Sequence, residues 1–312
     1  MLPARPWGFY LRIILLMLLA ILLNLAPRPH AARTALNQAR LALQKNELSS
    51  AAFLIKEAAR LSPGRRDLAR LSAHYYLESG YPQQAIEILE QLALASDLEA
   101  GDLEALGDAY QQAGDILMAA AVWQRAAQLN PSLEIYRRLA DYHQVRGEYT
   151  QVIEDLRQML KYLPADASLN YRLGLVYAAV EPESGLAYLA QAAELDPSLA
   201  DSALELQRKI RTATLFEEPA YTFTASGRVL ATLNEWELAE AAFLQATRLR
   251  PDYAEAWAFL GEARQHSANS SGRKYPGLPD LQLALKLDAS SVSANLLMGL
   301  YWSRQGDYML AN

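Results

Sequence analysis

The residues able to do chemistry are few and scattered. His30, His74, His143 and His266 stand far apart in the chain, and no two share the three- or four-residue spacing that puts a pair of metal ligands on one helix face. The chain has no cysteine, which removes thiolate zinc sites, thiol catalysis and a disulfide framework together. No glycine-rich segment follows a strand to cradle phosphate, and no serine lies in a nucleophile elbow. Glu217 and Glu218 are adjacent, but neighbouring side chains diverge, so they read as a solvated loop rather than an acid/base pair. The expectation is no catalytic residue, no metal and no cofactor. What needs explaining is therefore the scaffold itself.

Its composition is that of a folded helical protein. Of 312 residues, 52 % are apolar and 21 % charged, enough to build a core and too apolar for disorder. Alanine, leucine, glutamate, glutamine and arginine dominate, a helix-former's selection. Charge is unevenly spread: the first 66 residues hold ten Lys/Arg against Glu47 and Glu57, leaving 19 basic and 33 acidic residues after them. A basic start on an acidic body suits a membrane surface and argues against nucleic acid as a partner.

Residues 13–26 are uncharged, and a span of 7–26 reaches about 30 Å if Arg12 snorkels to the interface, matching a bilayer core of about that thickness. Trp7 and Tyr10 then occupy the interfacial belt. A cleaved signal peptide is the competing reading, but the small residues a cleavage site needs are missing, with His30 and Pro29 at the critical positions. A third reading is a buried soluble helix. Flanking basic residues nearly balance (Arg5 and Arg12 before, Arg28, Arg33, Arg40 and Lys45 after). The expectation is a single-pass membrane anchor with an extracytoplasmic body.

One spacing recurs through the rest. Leu106-Gly107-Asp108-Ala109-Tyr110 returns as Leu173-Gly174-Leu175-Val176-Tyr177 and as Met298-Gly299-Leu300-Tyr301-Trp302. A glycine follows the first and last, and a second helix then reads Ala119, Trp123, Ala126, Pro131 in one copy and Ala239, Phe243, Ala246, Pro251 in another. Unit-closing positions fall at Pro63, Asp97, Pro131, Pro164, Pro197, Pro251 and Ala289, with gaps of 34, 34, 33, 33, 54 and 38. Small residues at Gly107, Ala140, Gly174, Gly227, Gly261 and Gly299 admit close helix approach, and Trp123, Leu156, Leu189 and Phe243 supply the bulk to fill it. Gly80, Gly114, Gly147 and Gly306 suit the left-handed turn between paired helices. Tyr76, Tyr110 and Tyr177 fall on the core aromatic position, so packing accounts for these three of the 17 tyrosines.

This pattern resembles the tetratricopeptide repeat over about residues 34–312. The resemblance implies an all-α chain, an α-α superhelical solenoid, here with an N-terminal hydrophobic helix. The expected organisation is an anchor and basic segment at 1–33, units one to five at 34–197, an inserted helix (near 200–213) and loop at 198–219, and further units at 220–312, the last incomplete. A polar stretch at 265–280 replaces one tight turn, and Asn269-Ser270-Ser271 within it has the pattern of a glycosylation acceptor. The last copy stops as its second helix begins. The expectations there are a missing capping helix, self-association through an uncapped unit, or a non-catalytic arm of a larger enzyme truncated at Asn312.

The resemblance also implies a concave groove lined by the second, fifth, ninth and twelfth positions of each first helix. Those positions are Arg70 and His74; Glu104, Asp108 and Gln111; Glu134, Arg137, Asp141 and Gln144; Tyr171 and Leu175; then Tyr221, Arg228, Glu255 and Glu262. Its acidic, amide-rich middle favours basic or polar extended segments, and Tyr171 with Leu175 offers an apolar seat. Glu104 and Asp108 stand where the carboxylate clamp of the chaperone-binding members needs cationic or amide groups, so that capture mode is not expected. The function that follows is a membrane-anchored scaffold or adaptor, binding proteins or peptides in the assembly or organisation of a bacterial-type cell envelope.

Overall fold

The computed structural model describes residues 14–17, 28–95, 98–267 and 276–306. Among these the chain is helical throughout, with no strand. The helices are α1 (Arg28–Gln44), α2 (Leu48–Leu61), α3 (Arg66–Glu78), α4 (Pro82–Ala95), α5 (Ala100–Gln112), α6 (Ile116–Leu129), α7 (Leu133–Val145) and α8 (Tyr149–Tyr162). They continue as α9 (Ala167–Val180), α10 (Leu186–Leu195), α11 (Pro197–Thr214), α12 (Pro219–Thr232), α13 (Trp236–Leu249), α14 (Ala254–His266), α15 (Leu278–Leu287) and α16 (Val292–Gln305). The chain divides into two compact units, Met1–Ile135 and Tyr136–Asn312.

Consecutive helices pair as tetratricopeptide-type hairpins, and the pairing is enforced by a repeated turn. The residue after each left-handed position donates its N–H to the carbonyl five back: Glu47 to Ala42, Tyr81 to Tyr76, Asp115 to Tyr110, Glu148 to His143 and Glu235 to Leu230, all at 2.8–3.0 Å. This closing bond satisfies a carbonyl that the ending helix would orphan. Gly80, Gly114 and Gly147 hold the left-handed position at φ +76°, +86° and +69°. Asn46 and Asn234 hold it in the α1–α2 and α12–α13 turns at φ +60° and +62°. Asparagine tolerates this region better than other residues with a β-carbon.

Helix contact follows the small-to-large rule. A β-carbon on Gly107 would overlap the indole of Trp123, which is fully buried. One on Gly174 would come within 2.6 Å of Leu189, one on Gly227 within 2.7 Å of Phe243, and one on Gly261 within 2.8 Å of Leu281. Each partner is a large residue of the paired second helix, inserted where only a hydrogen leaves room. Tyr76, Tyr110 and Tyr177 are buried, as the core aromatic position requires.

In the second unit the stacking is no longer one helix pair after the next. After α10 the chain spends 18 residues in α11 before α12 and α13 begin, and both of these pack against α9 as well as against each other. Ser226 of α12 donates to the Ala178 carbonyl of α9 at 2.8 Å, and the Tyr149 hydroxyl donates to the Glu237 carbonyl at 3.2 Å, joining the start of α8 to α13. Helix α9 is consequently buried nearly all round, through Asn170, Leu173, Gly174, Leu175, Val176, Tyr177, Ala178 and Ala179. Its sequence is apolar on most sides, with Arg172 as the charged exception, as such a central position demands.

Among the described residues no helix is long and apolar enough to cross a membrane. The anchor expected at 7–26 lies outside them except for residues 14–17, which are helical and exposed. Residues 268–275, with the glycosylation pattern, and 307–312, with the last unit's ending, also lie outside them.

Candidate peptide-binding site

Several carboxylates expected to line an open acidic groove are already bound by arginines of a neighbouring helix. Arg70 of α3 reaches the start of α5, donating to both oxygens of Asp102 at 2.7 and 2.9 Å and to Glu99 at 2.7 Å. Asp102 is buried and closes a capping box with Glu99, so Arg70 ties one repeat to the helix N-terminus of the next. Its guanidinium is thereby held even more firmly in its charged form, chiefly by the hydrogen bonds it donates to Asp102. In the second unit Arg172 of α9 donates to Asp141 at 3.2 Å and to Gln144 at 2.5 Å, both on α7. Arg304 of α16 grips Glu262 of α14 at 2.7 and 2.9 Å. Asp108 accepts from the Trp123 indole at 3.2 Å, which directs it along its own repeat.

The remaining expected positions fall into three states. His74 is exposed and lies 3.3 Å from Glu78, and Gln111 and Arg137 are exposed. Glu104 and Glu134 are half-buried. Tyr171 and Leu175 depart from expectation: Leu175 is only 4 % exposed, and Tyr171 is half-buried beside Ser202 of α11, its phenol pushed up by burial. The apolar seat expected there is filled by the chain itself, because α12 and α13 pack onto α9.

Tyr221 and Arg228 belong to an open concavity. Turns of α12 place Tyr221, Ala225, Arg228 and Thr232 along one helical stripe, and these residues line a pocket of about 810 Å³. Helix α11 contributes Glu205 and Lys209, α14 contributes Phe259 and Glu262, and Asn234 and Trp236 add to the lining. The volume lies within the range of binding clefts. Arg228 extends over the Phe259 ring, 4.9 Å from its centre, a cation–π contact that orients the guanidinium before anything binds. Trp236 stacks on His266 with ring centres 4.2 Å apart, and Tyr221 meets Phe216 edge to face at 5.1 Å. Nearby, Tyr253 is pushed up by burial, then by Glu255. Glu235, beside Asn234, is raised by burial and by Glu237, with Arg172 opposing. Lys209, Trp236 and Phe259 were not evident from the repeat register, since α11 lies outside the repeat and an aromatic within a helix reads as core.

One further polar pair escaped the sequence. His143 Nδ1 lies 2.7 Å from Asp155 Oδ2, with both residues buried between α7 and α8. Burial raises the Asp155 carboxyl, and His143 opposes that rise. The twelve-residue separation spans a helical hairpin and is invisible to a single-helix spacing rule. The pair is enclosed, with side chains 6% and 10% exposed. Among the described residues no group of three His, Asp or Glu could hold a metal ion.

No protein-family model matches the chain, and no curated protein matches it. Among solved structures it is similar to the MamA protein, with 20% identity and a TM-score of 0.46, covering 55% of this chain and 96% of that one. YrrB, described as a TPR protein with an unusual peptide-binding site, gives 21% identity and a TM-score of 0.43, with 56% and 90% covered. A chain of the Naa15/Naa10 complex bound to HypK-THB gives 13% identity and a TM-score of 0.46 over 91% of this chain and 52% of that one. All three scores are low, and the repeat is read from the chain's own helix pairs.

Proposed function

We propose that this protein is a non-catalytic, membrane-anchored adaptor that docks a segment of another protein in the pocket between α11, α12 and α14, serving the assembly or organisation of a bacterial-type cell envelope. The observation that carries the docking reading is the pocket itself: about 810 Å³, aromatic at Tyr221, Trp236 and Phe259, and set on the first-helix face of the repeat. Large rigid rings with a few placed polar groups are the composition of a recognition site. Support for the anchor comes from sequence, in the apolar run at 13–26 and the basic residues on both sides of it.

A photo-crosslinking residue in place of Ala225, in the full-length protein in cells, tests the docking reading. Discrete polypeptide adducts are the expected outcome, abolished when Thr232→Trp, elsewhere in the lining, fills the pocket. Adducts at exposed Gln111 with none at Ala225 would move the site elsewhere. Alkaline extraction of membranes tests the anchor, with the chain expected in the pellet; release into the supernatant removes it. Degradation of the body by protease added to intact cells with a permeable outer barrier is expected for an extracytoplasmic body.

A further inference from the structure

The charges around the pocket are not equally satisfied. Glu262 is held by three donors, the two Arg304 nitrogens at 2.7 and 2.9 Å and Gln265 at 3.2 Å, and lies 3.3 Å from His266 Nε2. Glu205 is bound closely by Arg208 on its own helix. The two cations that line the pocket are held slackly, Lys209 at 3.9 Å from Glu205 and Arg228 at 3.5 Å from Glu255. Their side chains are 54 % and 57 % exposed. A carboxylate arriving here meets cations with unused donors, whereas an arriving cation meets acids that are already neutralised.

The surroundings favour the same sign. The exposed side of α11 carries Arg208, Lys209 and Arg211, a positive island on a body with 33 acidic and 19 basic residues after residue 66. Such an island steers an acidic segment toward one place on an otherwise repelling surface. Apolar area lies within reach of it. Leu215 and Phe216, at the end of α11, are 81 % and 64 % exposed. A second concavity of about 570 Å³ shares Glu205, Val229 and Thr232 with the first, so the two form one furrow along α11 and α12 that accommodates an extended chain.

We infer that this furrow takes an acidic, extended segment of a partner protein, its side-chain carboxylates paired with Lys209 and Arg228 and a neighbouring apolar side chain seated against Phe259 and Tyr221. The inference rests on the docking reading above and names the chemistry of its ligand. The concavity favours a peptide over a flat anionic membrane, because a headgroup surface cannot enter the space between α11 and α14.

The test uses the full chain in detergent and three fluorescent, acetylated and amidated dodecapeptide pools. One alternates Asp/Glu with Leu/Phe, one alternates Lys/Arg with Leu/Phe, and one alternates Gln/Ser with Leu/Phe. Blocked termini confine any carboxylate effect to side chains. Fluorescence anisotropy is expected to show the acidic pool binding at least about tenfold more tightly than the others. Lys209→Gln and Arg228→Gln are each expected to weaken it about tenfold, while Arg60→Gln and Arg157→Gln, outside the furrow, leave it unchanged. Thermal melts that match the parent confirm that the variants are folded. Preference for the basic or neutral pool, or acidic binding that survives both substitutions, overturns this inference and leaves the docking reading standing. No binding by any pool overturns both. Binding to phosphatidylserine vesicles that needs Lys209 and Arg228, without acidic-pool binding, also overturns it by assigning the surface to lipid.

Discussion

Helices α5 and α9 carry the same motif, Leu106-Gly107 with Tyr110 in one and Leu173-Gly174 with Tyr177 in the other, yet they occupy opposite kinds of environment. Helix α5 is one-sided: Leu103, Leu106, Ala109 and Tyr110 are buried while Gln111 and Gln112 are exposed. Helix α9 is enclosed, since α12 and α13 cover the face that α5 leaves open. The motif governs how a first helix meets its own second helix, through Gly107 with Trp123 and Gly174 with Leu189. It says nothing about the opposite face. That face is decided by what comes next in the chain, a regular repeat after α6 and the extra helix α11 after α10.

The sharpest way to break this comparison is to exchange the residues two positions after the leucine and glycine motif begins. Leu175→Asp places an unpaired carboxylate in the enclosed face of α9 and is expected to cost about 3–5 kcal/mol, read as loss of the second unit's transition in urea. Asp108→Leu on α5 forfeits the Trp123 hydrogen bond at a half-buried site, and about 1–2 kcal/mol is expected. Equal effects would mean that the two faces are alike.

The shared half of the comparison is tested by adding one carbon. Gly107→Ala and Gly174→Ala should each destabilise by about 1–3 kcal/mol through overpacking against Trp123 and Leu189. Gly101→Ala, on the same helix as Gly107 but with nothing within 4 Å, should be neutral or stabilising by up to about 1 kcal/mol. Next in size is Arg70→Gln, which leaves buried Asp102 without its guanidinium; about 1–2 kcal/mol is expected, confined to the first unit's melt.

The smallest effect concerns alkaline pH. Burial pushes the Tyr110 phenol up to about 12, with the hydrogen bond to Glu90 adding to it, and burial followed by Glu237 and Glu240 raises Tyr149 to about 12. An unfolded tyrosine ionises near pH 10, about two units below these folded values. The folded state therefore keeps protons that the unfolded state releases, and stability present below about pH 10 is lost as pH rises to about 12. Tyr110→Phe and Tyr149→Phe should each flatten that loss, the first in unit 1 and the second in unit 2, with tyrosinate absorbance recording which phenol ionises.

Much of the helix pairing was legible because it depends on contacts at fixed separation. Gly227 and Phe243, like Gly107 and Trp123, lie 16 positions apart in the sequence, so one glance at the spacing predicts the contact. The left-handed turns at Asn46 and Asn234 are harder to read from sequence, since asparagine marks this conformation less specifically than glycine. The groove is less open than a single repeat implies, because ion pairs cross between repeats. Arg70 and Asp102 are separated by 32 residues, about one repeat, so a residue marked as ligand-facing in one copy had its counter-ion in the next. Leu175 is buried and Tyr171 half-buried for a different reason: a stripe derived from periodicity assumes that nothing returns to cover it. The pocket at Tyr221 and Arg228 lay within the expected register, but its third wall, α11, has no counterpart in the repeat.

The hydrogen bond from Tyr149 to Glu237 spans 88 positions, and its consequence is kinetic. Helix pairs that touch only their neighbours can form in sequence, each templating the next, with short loops to close. The second unit cannot finish that way, because α8 and α9 stay partly unsheltered until α12 and α13 have been made and have returned to them. The late segment completes the early one. During synthesis the apolar sides of α9, which ends at Val180, must wait for about seventy further residues, to Leu249 at the end of α13, to emerge, seconds at ordinary elongation rates, which makes this interval the point at which a nascent chain most needs protection.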